Sequence, residues 1–289
     1  MAAILATWDT EELYANYIAP VLESNVALIP GLTTNANVQQ INASAAVYYV
    51  QNDASVTSGN AGRDFTDNEA GNDREIIPLT LSIQIAEKMP KIVAETTPME
   101  FVGRFLTNST VKAMNRWGFL GLAALVNEGT HKTGAATTKD TIYGDIVDQV
   151  AAFDTANADK GSATAIIVGP LALAKLRKST EFAINPSLNS TVVQDGLVGY
   201  VAGLPVVYAK NLDAIAASDL SGYSAISGLD YIILRSEAFM APKVYEYFDI
   251  IEKSEKFPGS KLIGEIPYGF KVSNPDQVYV RVTSSTVQV

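Results

Sequence analysis

Apolar and polar positions divide this chain into an extended first part and a more regularly patterned remainder. Near the start, Leu13, Tyr14, Tyr17, Ile18, Val21 and Leu22 recur at helical spacing behind Asp9, Thr10, Glu11 and Glu12. Acidic residues after a Thr or Asp cap suit a helix N-terminus, where the macrodipole is positive, and Pro20 bends or breaks the helix. Residues 26–40 contain Pro30-Gly31 and read as extended, so 1–40 form an arm. Residues 41–52 read as a strand. Over 75–87, Ile77, Leu79, Leu81, Ile83 and Ile85 alternate with Pro78, Thr80, Ser82, Gln84 and Ala86, the period-two pattern of a half-buried ribbon. The connection 53–74 is rich in Gly, Asn, Asp and Ser, and so long a connection needs a reason. Together 41–90 predict a long β-hairpin with a protruding acidic tip.

The strongest helix signal follows. Thr97-Pro98-Met99-Glu100 is a capping box with Pro at the first helical position, and Gly129 lies past Glu128. A helix over about 97–128 is roughly 45 Å long at 1.5 Å per residue. Met99, Val102, Leu106, Ala113, Trp117, Leu120 and Ala124 fall on one stripe, with Arg104, Asn108, Lys112 and Asn115 opposite. Phe101 and Phe105 lie off the stripe. Thr107-Asn108-Ser109-Thr110 has low helix propensity and marks a candidate bend.

Residues 129–141 form a Gly/Thr-rich connection. An α/β segment comes next: a helix over 142–153, a buried strand over 163–168, a helix from Pro170 to Thr180, and strand material over 196–207. The remainder, 229–289, is mostly β by pattern, with strands at 231–234, 243–251, 264–270 and 278–282 and room for a hidden helix. The class is α+β.

Composition narrows the function. Among 289 residues, 47% are hydrophobic and 18% charged, which excludes wholesale disorder. There is no Cys, which excludes disulfides, Cys-ligated zinc, iron–sulfur clusters and thiol chemistry. One His, His131, rules out a multi-His metal site. The net charge is −10, and a basic nucleic-acid binder is not expected. The charge is uneven. Through residue 87 the basic residues are Arg63 and Arg74 against eleven acidic ones, so −9 lies there and −1 in the rest. No basic n-region precedes Lys88, which predicts no signal peptide, and the apolar runs are too short for a bilayer.

No enzyme reading gathers strength. The strand–Gly169-Pro170–helix unit lacks the Gly-Lys-Ser/Thr that cradles phosphate, and Pro170 removes an amide donor. Gly196, Gly199 and Gly203 are spaced GxxGxxxG, which does not fit a dinucleotide site. His131 reads as a solvated loop histidine with no nucleophile elbow nearby. The acidic segment 52–73 lacks DxDxDG calcium spacing. We therefore assign no catalytic residue, no cofactor and no metal ligand. Lys175, Arg177 and Lys178 form a basic helix face, either solvated or facing a partner's acidic arm.

The order of parts carries a resemblance. Arm, long hairpin, one long capped helix, α/β segment and closing strands resemble the Hong Kong 97-like fold of tailed-bacteriophage major capsid proteins. Ala163-Thr164-Ala165-Ile166-Ile167-Val168-Gly169-Pro170 with Leu173 and Leu176-Arg177-Lys178 resembles that family's axial strand–helix unit. Gly203-Leu204-Pro205-Val206-Val207 resembles its G-x-P-V strand, and Tyr231 to Tyr247 its return to the peripheral domain. The resemblance implies an N-arm over 1–40, an E-loop over 41–90, a peripheral domain from 91–140 and 229–289, and an axial domain over 141–228. It implies a protein that self-assembles through pentamers and hexamers into an icosahedral head around double-stranded DNA, held without sequence-specific binding.

Partners on this reading are copies of itself, a portal, and scaffolding or decoration proteins, with no membrane. The place is the virion capsid, assembled in the host cytoplasm. Phe101 and Phe105 become candidates for receiving a neighbour's hairpin, or for packing within their own subunit. Arg104, Lys112 and Arg116 become candidates for pairing with the acidic arm or hairpin, where Asp64, Asp67, Glu69 and Asp73 lie. Some family members crosslink an E-loop Lys to a neighbour's Asn. Residues 41–87 contain no Lys, so a non-covalent shell is expected. Met1 lies close to the arm, so scaffolding is expected from a separate protein or not at all. The alternatives are an encapsulin-type nanocompartment shell and, from another class, an α/β hydrolase-like or carbohydrate-active enzyme.

Overall fold

The computed structural model describes residues 38–42, 45–51, 72–90, 99–179, 181–182, 197–216, 223–241, 247–254 and 257–283. The expected helix within 1–25, most of the arm, the hairpin tip and the Thr97-Pro98 cap lie outside these residues. The first elements are β1 (Val38–Asn42), β2 (Ala45–Gln51), β3 (Asn72–Pro78), β4 (Leu81–Pro90) and α1 (Met99–Glu128). Then come β5 (Thr130–Gly134), α2 (Ile142–Ala156), β6 (Ala165–Val168), α3 (Pro170–Lys178), β7 (Leu197–Val201) and β8 (Leu204–Tyr208). The last are β9 (Leu229–Leu234), β10 (Phe239–Met240), β11 (Tyr247–Ser254), β12 (Phe257–Tyr268), β13 (Lys271–Val272) and β14 (Val278–Thr283).

β2 and β3 form an antiparallel ribbon, Ala45 opposite Pro78 and Gln51 opposite Asn72, with β1 added on the β2 side. The single strand expected over 75–87 is two strands. It breaks at Leu79-Thr80, and β4 joins a different sheet of order β11-β12-β4. Pro78 has no N–H to give a ladder and ends β3. Ile77 and Leu79 bury in a small cluster with Ala46 and Met240, whereas Leu81, on the same alternation, is exposed. Period two reports a half-buried strand but not which sheet it enters.

The centre is a six-stranded mixed sheet of order β5-β14-β9-β6-β8-β7. β5 runs parallel to β14 and β6 parallel to β8, and the other pairs are antiparallel. Alternate side chains face opposite cores. Ile167, Ile232, Leu234, Val278, Val280 and Val282 pack with α1, while Ile166, Val168, Tyr231, Ile233 and Tyr279 pack with α2 and α3. Both faces are covered, which is why β6 and β9 read as unbroken apolar runs. Each such side chain contributes roughly 1.5–3 kcal/mol on burial. The expected boundary at 228/229 falls inside this sheet, since β9 hydrogen-bonds to β6 and to β14.

α1 has 30 residues, and its polar and apolar faces separate as predicted only in the first part. From Trp117 to Val126 every residue is buried, because helix and sheet meet there at the middle of the fold. The helix runs unbroken through 107–110; Ser109 and Thr110 are buried, and Thr110 Oγ1 donates to the Leu106 carbonyl at 3.0 Å. The connection expected over 129–141 contains β5, whose partner β14 is remote in sequence and invisible to local patterning. His131 is therefore a strand residue, not a loop residue, and its Nε2 donates to the Val126 carbonyl in the last turn of α1 at 2.8 Å.

The strand material over 196–207 is a hairpin. Its turn residues Ala202 and Gly203 have φ of 52° and 80°, the left-handed pair that matches the twist of the flanking strands. The helix expected among the C-terminal strands is absent from the described residues, which hold short 3-10 turns at Ser236–Ala238 and Pro275–Gln277.

Candidate assembly surface

Two part-buried polar clusters hold α2 and α3 on the sheet. Asp145 of α2 accepts from Arg281 Nε at 2.8 Å and Arg281 Nη2 at 2.9 Å, and from the Tyr231 hydroxyl at 2.6 Å. This bidentate fork ties the helix to β14 and β9 at once. Beside it, Lys175 Nζ on α3 lies 2.7 Å from Asp230 Oδ1 and 3.0 Å from Thr137 Oγ1. Sequence reasoning missed both clusters, because their members lie far apart along the chain.

Lys175 is half-buried, and its ammonium is paired with Asp230 of its own chain. Arg177 and Lys178 are exposed on α3. The N-terminus of α3 is already filled. Asp213, from the 3-10 turn Leu212–Ala216, accepts from the Leu171 N–H at 2.9 Å, and a Cβ on Gly169 would meet Asp213 Oδ1 at 2.1 Å. A carboxylate at this helix end takes the place a phosphate would need.

On α1, Arg104, Asn108, Lys112 and Asn115 are exposed, at steps of four, four and three residues. Arg116 is half-buried, with its guanidinium carbon 5.5 Å from the Phe119 ring centre. No acidic residue lies between Glu100 and Glu128, so the charge on this face is positive, from Arg104 and Lys112. Phe105 is half-buried and packs on the α1-side core of its own chain. The side chains of Phe101 and Asp73 lie outside the described residues, as do Asp64, Asp67 and Glu69. Among the described residues no group of three His, Asp or Glu side chains is placed to hold a metal, and no helix is long and apolar enough to cross a membrane.

Two tyrosines set a limit on alkaline stability. Burial, then the nearby Glu128 and Tyr268 charges, push the Tyr223 phenol up to about 12. Burial, then the Asp145 hydrogen bond and charge, push Tyr231 further in the same direction. A raised folded-state value means stability that is complete below the ordinary tyrosine value of about 10 and is lost above it. The urea midpoint is expected to hold up to about pH 10 and fall from there towards about pH 12, with late tyrosinate absorbance appearing only as the chain unfolds. A midpoint that is flat across this interval would contradict the burial of these phenols.

The fold made by these elements is that of phage capsid proteins. The chain is similar to the acid-stable capsid structure of Helicobacter pylori bacteriophage KHP30, with 13% identity, TM-score 0.65, and coverage of 88% of this chain and 89% of that one. It is similar to the capsid of cyanophage P-SCSP1u at 13% identity and TM-score 0.62, covering 85% of each chain. It is similar to the mature capsid of bacteriophage PhiM1 at 14% identity and TM-score 0.61, covering 86% and 84%. No family model matches the chain, and no curated protein matches it.

Proposed function

We propose that this chain is a tailed-phage major capsid protein that self-assembles through pentamers and hexamers into an icosahedral head enclosing double-stranded DNA. The observation that carries this reading is the likeness to phage capsid structures over nearly the whole chain, 85–88% for the three named above. The charge distribution is in keeping with it: Arg104 and Lys112 are exposed along α1, while the segment through residue 87 holds most of the negative charge. The protein then acts by repeated burial, not by catalysis, and many modest contacts add up across a shell.

On this reading residues 1–40 form the arm, 41–90 the E-loop, 91–140 and 229–289 the peripheral domain, and 141–228 the axial domain, with the six-stranded sheet as the seam between the last two. Arg104, Lys112 and Arg116 face the acidic arm or hairpin of a neighbour. The shell is non-covalent, forms in the host cytoplasm, and works with a portal and with scaffolding or decoration proteins. The acidic balance gives an inner wall that encloses DNA without gripping it.

Negative-stain microscopy of the purified chain across protein and salt concentrations tests this. Closed shells of uniform diameter are the expected result. A clean monomer under every condition would overturn it.

A further inference from the structure

From the way α3 begins, we infer that the 3-10 turn Leu212–Ala216 couples the two cores of the subunit, capping α3 only while the turn is seated against the α1-side core. The coupling lies within one subunit, so it stands or falls apart from the shell reading.

α3 has no cap of its own. Its N-cap position is Gly169, which makes no side-chain hydrogen bond; Pro170 follows, and the first turn holds no acidic residue. A helix of nine residues depends on its ends, because nucleation is costly and a missing cap leaves N–H donors open. The cap comes instead from Asp213, 42 residues beyond Leu171, whose Oδ2 accepts from the Leu171 N–H at 2.9 Å. Asp213 Oδ1 is buried with no hydrogen-bond partner, so among the described residues the cap rests on a single hydrogen bond.

The same turn also faces the other way. Leu212 and Ile215 stand three residues apart, which in a 3-10 helix puts them on one side. Both are fully buried in the α1-side core. α3 packs in the other core, through Ala172, Leu173 and Leu176. The turn thus lies against α1 and α3 at once, two side chains seated on one core and a third capping a helix of the other. The result is a conditional helix start. A shift of the turn by about 1 Å carries Oδ2 out of hydrogen-bonding range of Leu171, and the first turn of α3 then frays. Whatever loosens the α1-side core beneath Leu212 and Ile215 is therefore felt at α3.

Hydrogen–deuterium exchange of the full-length chain, read in α3 and in α2, tests the coupling. Asp213→Ala is expected to speed exchange at the start of α3 about fivefold, and Asp213→Asn, which keeps the acceptor, to leave it near wild type. Gly169→Ala, whose Cβ would meet Asp213 Oδ1 at 2.1 Å, is expected to match Asp213→Ala without touching the α1-side core. The deciding variant is Ile215→Val, a deletion small enough for the subunit to fold, which alters the α1-side core alone. It is expected to speed exchange at the start of α3 about threefold, and to add nothing there in the Asp213→Ala background. α2 is the reference and is expected to stay unchanged throughout. The coupling is overturned if Asp213→Ala or Ile215→Val leaves α3 unchanged, or if the Ile215→Val effect is undiminished in the Asp213→Ala background. It is overturned equally if α2 speeds up as much as α3, which marks general loosening.

Discussion

Asp145→Leu is expected to lower folding stability by about 3 kcal/mol or more. The reason is the company Asp145 keeps. Arg281 is 7% exposed, and two of its nitrogens end on this carboxylate. Removing the carboxylate leaves a nearly covered guanidinium with the Lys132 carbonyl at 3.4 Å and the Tyr231 hydroxyl beside it, and without the carboxylate that took two of its nitrogens. It also strips the Tyr231 hydroxyl of its partner. The cost is thus the penalty of an uncompensated buried charge, not the worth of a salt bridge. That distinction gives the control: Asp145→Leu with Arg281→Met removes both charges and is expected to recover most of the loss. Urea unfolding of the unassembled subunit reads both. A single-variant loss under about 1 kcal/mol, the level of an exposed pair, would show that the cluster is solvated and carries no such role.

Trp117→Ala is expected to cost about 3–5 kcal/mol, while Trp117→Phe costs under about 1.5 kcal/mol. Trp117 lies where α1 becomes buried all round, with its ring centre 5.5 Å from that of Phe270, which in turn stacks on Phe239 at 6.1 Å. Alanine leaves a cavity at the joint between helix, β12 and sheet. Phenylalanine keeps most of the packing and removes a liability, since the indole Nε1 is buried with no hydrogen-bond partner among the described residues. Thermal unfolding of both variants checks the order. Equal losses would show that a phenyl ring does not keep the packing of this joint.

Much of the fold was legible in the chain because it rests on local rules. The capping and the stripe of α1 marked a helix that is found at Met99–Glu128. Gly169-Pro170 marked the start of α3 at Pro170, and the apolar run before it marked β6. The cationic face of α1 followed from helical spacing alone, and Arg104 and Lys112 are exposed on it as expected. Phe105 shows the limit: its position off the stripe could not say whether it faces a neighbour or its own core, and it packs on its own core.

Helix starts, periodicities, charge distribution and the order of elements were thus determined by the amino-acid sequence itself, since each rests on short stretches of chain, whereas α2 ends three residues later and α3 two residues earlier than expected. Only the tertiary structure decided the rest. It split the 75–87 ribbon between two sheets, made a strand of Thr130–Gly134 by pairing it with β14, and joined the segments on either side of 228/229 in one sheet. It also paired Lys175 with Asp230 and placed Asp145 on Arg281. These are choices of partner between residues tens to more than a hundred positions apart, and a local pattern carries no information about which distant strand or charge will complete it.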